Sequence, residues 1–254
     1  MERITPELAE IKPYTWAHHV ARYKFACQYC EDRVVLDVGC GAAYGAEMLR
    51  KEGQARLVVG LDINLDQVQV GNTLGLMLIR GDAMKLPFKD ESFDVITAFE
   101  VIEHLDDPQK AIGEIRRVLK TGGVALISTP RRDLWQRTPT NPHHKLEFSF
   151  AEFKTYIASW FPVFQIFGQY FDYIFTEIFP PGLGLRRILR QVVSLLAKLN
   201  RSEHLLHKFD VMPMEGMPRY IVPKYMIAVC LGVTQLTAHS FPYHCDNSQA
   251  KACQ

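Results

Sequence analysis

Two hydrophobic periods alternate along the chain. Short apolar runs at 34–38, 57–61, 77–80, 94–99 and 124–129 predict strands, and stretches of helical spacing at 43–52, 65–74 and 108–119 predict helices between them. Helix 108–119 has the clearest ends. Asp107 can cap it, Pro108 fits its first turn, Ile112, Ile115 and Leu119 form one stripe, and Gly122 is its expected stop. Ahead of the first strand, Trp16, Val20, Tyr23, Phe25 and Ala26 suggest an amphipathic helix over 13–30. Ser149 to Phe161 reads as a further helix, and Val163–Tyr170 and Tyr225–Leu231 as the last two strands. Such alternation predicts an α/β fold, a doubly wound and mostly parallel sheet, with ligands at the carboxyl ends of its strands. Asp37, Asp62, Asp82 and Glu100 all fall at those ends.

The first predicted strand runs into Asp37-Val38-Gly39-Cys40-Gly41, and the second ends at Gly60-Leu61-Asp62. Glycines at 39 and 41 let the backbone turn sharply and approach a ligand closely. An acid about 20 residues beyond such a loop is placed to accept hydrogen bonds from both hydroxyls of a ribose. The pattern points to a nucleoside cofactor. The dinucleotide fingerprint G-x-G-x-x-G fails, because Tyr44 stands at its last position and the glycine falls at Gly45. A carboxylate at Asp37 would also repel a pyrophosphate, and suits a ligand with positive charge.

At these residues the sequence resembles the class I S-adenosylmethionine-dependent methyltransferases, whose first motif is an acid-x-Gly-x-Gly turn. Three further segments carry the likeness in order: Arg80–Phe88, Ser92–His104 and Leu119–Pro130, where Thr121 replaces the usual proline of an L-K-P-G-G turn. The resemblance implies a seven-stranded sheet of Rossmann-like type and S-adenosylmethionine as methyl donor. It implies that Asp37, Gly39, Cys40 and Gly41 face the methionine half, with Glu100 and Val101 at the methionyl end. Asp62 would take the ribose hydroxyls, Ile63 would pack on the adenine, and Asp82 with Ala83 would meet the adenine amino group. Arg22, in a segment similar to an N-terminal H-x-x-R-Y helix, would pair with the cofactor carboxylate.

An oxygen nucleophile gains from a general base. His104, in Glu100-x-x-Glu103-His104, follows the fourth parallel strand. Asn141–Phe148 resembles an N-P-Y-H-x-x-E-F segment of glycan and natural-product methyltransferases, and offers His144 and His143. A further resemblance, to ubiquinone-pathway O-methyltransferases in which acids of this kind bind magnesium, implies that Glu100, Glu103 and Asp107 could supply oxygen ligands. Helix-cap acids and a core histidine are the simpler reading, so no metal site is assigned.

With 48% hydrophobic and 22% charged residues, the 254-residue chain is ample for one such domain, expected over 1–233 with a flexible tail at 234–254. A net charge of +1 argues against nucleic acid as partner. The six cysteines lack a disulfide-framework spacing, Met1–Glu7 shows no export pattern, and a cytoplasmic protein is expected. About 50 residues, 171–220, separate the last two strands where the resembled fold has a short turn. Leu185–Leu199 within that insert has helical spacing with basic residues mostly off its apolar stripe. A lid, a homodimer interface and a peripheral contact with the inner face of the membrane are the readings of the insert. The expected activity is methyl transfer to an oxygen of a small-molecule or saccharide acceptor. A quinone-type aromatic hydroxyl, or a cofactor-binding scaffold without turnover, are the alternatives.

Overall fold

In chain order the elements are α1 (Pro13–Cys27), β1 (Val34–Val38), α2 (Tyr44–Lys51), β2 (Leu57–Asp62), β3 (Met77–Arg80), β4 (Phe93–Phe99), a 3-10 turn (Ile102–His104), α3 (Pro108–Val118), β5 (Leu119–Pro130), α4 (Phe150–Ala158), β6 (Phe164–Gln169), β7 (Val211–Pro213) and β8 (Tyr225–Leu231). This computed structural model describes residues 13–64, 76–132, 141–169, 211–213 and 225–232. The predicted helix 65–74, most of the insert and the tail lie outside the described residues.

The strands form one sheet in the order β3-β2-β1-β4-β5-β8-β6-β7. The first five run parallel, while β8 pairs antiparallel with both β5 and β6. The seven expected strands are thus present. The three-residue β7, drawn from the insert, extends the sheet antiparallel to β6.

Alternating side chains put a core on each face. Leu36, Ile96 and Ile127 pack with Ile112 and Ile115 of α3 and Phe153 and Ile157 of α4. Val35, Val58 and Val95 pack on the other face with Tyr23 and Ala26 of α1 and Ala46 and Leu49 of α2. Burying helices on both faces leaves the carboxyl edge of β1, β2 and β4 as the open end of the sheet. No described helix is long and apolar enough to cross a membrane.

Local chemistry sets the element ends. Asp107 accepts from Lys110 N and Pro108 follows it, as expected for α3. Ser149 and Glu152 form a reciprocal capping box at the start of α4. The end of α3 differs from expectation. Leu119 is already extended at ψ 128 and opens a twelve-residue β5. Gly122, at φ +80, bends that strand and donates to Gly232 O instead of ending the helix. Leu119 is fully buried opposite Phe93 across a register shift, and this tertiary pairing overrides the helical stripe. The helix α1 stops at Cys27, so Cys30 lies in the turn beyond it. Both thiols of Cys27-x-x-Cys30 are free and donate to helix carbonyls, and burial pushes them up to about 11 and about 12.

Candidate functional site

The loop between β1 and α2 is built from its two glycines. Gly39, at φ +73, donates to Leu61 O at 2.7 Å, which ties the loop to β2. A Cβ there would lie 2.5 Å from Val101 Cγ2, so only glycine lets Val101 close against the turn. Gly41 is different. At φ +51 it faces open space, and its N–H donates to Asp62 Oδ2 at 2.9 Å. Cys40, buried, fills the space beside Gly60, where a Cβ would come within 2.8 Å of its sulfur.

Asp62 is largely buried and splinted from two sides, because its Oδ1 also accepts from Asn64 N at 2.8 Å. Each bonded oxygen keeps a further lone pair for a ligand hydroxyl. Ile63 follows with 59% of its surface exposed, an apolar platform at the strand end. Asp82 shapes the next loop through Met84 N, and Ala83 beside it is buried.

Asp37 sits one strand inward and departs from expectation in what it touches. It is fully buried; Thr97 donates to Oδ1 at 2.7 Å and Tyr23 to both oxygens at 3.2 Å. Burial pushes its carboxyl up to about 7 against those hydrogen bonds, with Asp62 adding to the rise. Burial and Asp37 together push the Tyr23 hydroxyl well up. Asp37 therefore joins α1 to β1 and β4 beneath the glycine loop.

Arg22 is the largest fully buried side chain among the described residues. Its Nη1 donates to Gln169 Oε1 at 2.8 Å, Gln169 Nε2 donates to His18 O, and the guanidinium lies 4.5 Å from the centre of the Tyr225 ring. Its Nε and Nη2 are buried with no hydrogen-bond partner among the described residues. A buried cation with two idle donors is costly unless an anion meets it.

Beyond β4, Glu100 stands at φ +57 and accepts from Ser128 Oγ at 2.7 Å, which fixes this bend to β5. Val101 packs on Gly39, and the 3-10 turn then buries Glu103. Burial raises the Glu103 carboxyl well above its ordinary value; Glu100 and Glu147 reinforce this and Arg22 opposes it. The Glu103 carbonyl accepts from Lys145 N and Leu146 N, so the turn carries the 141–148 segment. His104 Nδ1 meets His143 O at 2.9 Å, and its ring stands edge-on to His144 with centroids 5.0 Å apart. Burial lowers the His104 pKa.

His144 Nδ1 lies 2.6 Å from Glu147 Oε1, and its Nε2 lies 3.0 Å from Asn141 Nδ2. Asn141 Oδ1 accepts from His143 N, which turns its NH2 toward His144. The tautomer follows: Nδ1 donates to Glu147 and Nε2 accepts. His143 itself is exposed and contributes only main-chain groups to this cluster.

The structure thus brings Asp62, Gly41, Gly39 and Val101 together at one strand edge, and His104 and His144 beside it. Sequence reasoning missed Gln169 and Thr97, and held Asn141 and Glu147 only as positions of the 141–148 motif, with no role assigned. A lone polar residue in an apolar strand, and an acid three residues after His144, were the available signals.

A profile described as a methyltransferase domain matches residues 36–127. A probable S-adenosylmethionine-dependent methyltransferase of Mycolicibacterium smegmatis is 39% identical over 158 residues, 59% of this chain and 60% of its own. One from Mycobacterium tuberculosis is 34% identical over 158 residues, covering 59% of this chain and 56% of that protein. The chain thus spans less than two thirds of the length of these relatives. An S-adenosylmethionine-dependent methyltransferase structure from Thermotoga maritima superposes with a TM-score of 0.59 at 17% identity, covering 89% of this chain and 95% of that one. At that identity the likeness is one of fold.

Proposed function

We propose that this chain, which is similar to class I S-adenosylmethionine-dependent methyltransferases, transfers a methyl group from S-adenosylmethionine to an oxygen of a small-molecule or saccharide acceptor. The observation that carries the cofactor half is the Gly41–Asp62 cradle beside exposed Ile63. Asp62 accepts the ribose hydroxyls, Ile63 packs on the adenine, and Asp82 and Ala83 border the amino group. Arg22, with two idle donors, pairs with the carboxylate of the amino-acid end. Glu100 and Val101 flank that end, and Asp37 holds the loop from beneath.

The bound donor supplies an electrophilic sulfonium methyl. The protein's part is to hold an acceptor hydroxyl in line with it. As the new oxygen–carbon bond forms and the carbon–sulfur bond breaks, the hydroxyl proton passes to an imidazole. His144 is the base we favour: Glu147 holds its Nδ1, and an acceptor hydroxyl would replace Asn141 at its Nε2. His104 is the second imidazole within reach, and His143 acts through its main chain. An exposed His143 side chain has no orienting partner in this cluster.

The test is calorimetry with S-adenosylmethionine, followed by turnover with hydroxyl acceptors. Binding with acceptor-dependent release of S-adenosylhomocysteine supports the reading. Binding without turnover across phenols and sugars favours a scaffold, and no binding removes the proposal.

A further inference from the structure

Glu103, His104 and His144 come together from two segments, the turn after β4 and the 141–148 loop. One ligand atom from each lies within 4.8 Å of the other two. Both oxygens of Glu103 are fully buried without a hydrogen-bond partner among the described residues. An orphaned buried carboxylate facing two imidazoles calls for a cation.

The two histidines are already set as ligands. His104 Nδ1 is held by the His143 carbonyl and His144 Nδ1 by the Glu147 carboxylate. Outer partners of this kind fix the tautomer, leaving Nε2 of His104 to coordinate and, once the Asn141 amide that now meets it at 3.0 Å turns away, Nε2 of His144, as in carboxylate–histidine–metal triads. We propose that Glu103, His104 and His144 bind one divalent transition-metal ion, with Glu147 and the His143 carbonyl as its outer shell. Two imidazoles and one carboxylate suit zinc, cobalt or iron, whereas magnesium demands mostly oxygen ligands.

The set differs from the acid pattern read in the sequence. Asp107 is occupied as the cap of α3 and Glu100 by Ser128, so neither is needed here. The site does not depend on the acceptor's identity. An ion held there would supply Lewis-acid polarisation of an acceptor hydroxyl, and would do so in place of the base role of His144, whose Nε2 it would occupy.

The experiment titrates chelator-treated protein with cobalt(II), followed by its visible absorption, and displaces it with zinc. The expected result is one ion per chain. His104→Ala and Glu103→Gln each weaken binding roughly tenfold or more, magnesium gives no competition, and S-adenosylhomocysteine affinity is unchanged in both variants. No saturable binding overturns the proposal. Equal binding in both variants also overturns it and moves the ion elsewhere, with Cys27 and Cys30 the first place to look. Loss of S-adenosylhomocysteine binding by the unsubstituted protein would contradict the cofactor reading while leaving the metal result standing.

Discussion

The backbone N–H of Gly41 donates to Asp62 Oδ2 at 2.9 Å, joining the glycine loop after β1 to the acid that ends β2. One hydrogen bond therefore couples the shape of the loop to the orientation of the carboxylate. The two neighbouring glycines share positive φ but have opposite surroundings, and that difference is testable.

Gly39→Ala drives a Cβ to 2.5 Å from Val101 Cγ2 in a conformation alanine disfavours. A loss of about 2–4 kcal/mol in unfolding free energy is expected by urea titration. Gly41→Ala meets no neighbour, so its stability cost is only the left-handed strain, about 1–2 kcal/mol. Its cofactor affinity should fall instead, because the new methyl enters the cleft.

Arg22→Met removes the buried guanidinium while keeping most of its volume. S-adenosylhomocysteine affinity should drop by about 1.5–3 kcal/mol, the scale of hydrogen bonds to a charged group. Methylthioadenosine, which lacks the amino-acid end, should bind both proteins alike by calorimetry. Equal loss for both ligands would place Arg22 in packing rather than recognition.

Burial holds the Asp37 carboxyl at about 7 in the folded chain. Its unfolded value is about 3.9. A carboxyl raised on folding stabilises the native state most when protonated. That contribution is full below the unfolded value, declines as pH rises, and is gone above the folded value. The stability advantage of the unsubstituted protein over Asp37→Asn should therefore shrink between roughly pH 4.5 and 7.5. An advantage that grew over that range would show that Asp37 is ionised in the fold at low pH.

Ser149→Ala breaks the capping box of α4 by removing the Oγ that accepts from Glu152 N at 3.3 Å. About 1 kcal/mol of stability should be lost in a thermal or urea melt. Cofactor affinity should not change, which separates the scaffold under the 141–148 segment from the cofactor cleft.

The order of strands and helices was legible because each buried strand and each amphipathic stripe carries its own period. Acids at strand ends could be located for the same reason, and Asp62 stands where its spacing from the loop put it. Asp37 was legible in place but not in partners, since nothing local shows that Tyr23 and Thr97, 14 and 60 residues away, fill its oxygens. Leu119 misled because a buried strand residue and the last residue of a helical stripe look alike. Gln169 was invisible as a site residue, for its role depends on Arg22, 147 positions distant. The orphaned carboxylate of Glu103 follows from burial, which the E-x-x-E-H spacing does not report.

The most direct measurement is isothermal calorimetry of S-adenosylhomocysteine with the unsubstituted protein and with Asp62→Ala. One saturable site is expected, weakened by about 1–3 kcal/mol in the variant through loss of the ribose hydrogen bonds and the Gly41 splint. Equal affinity in the two proteins, or no binding by either, would contradict the account of this cleft as a nucleoside cofactor site.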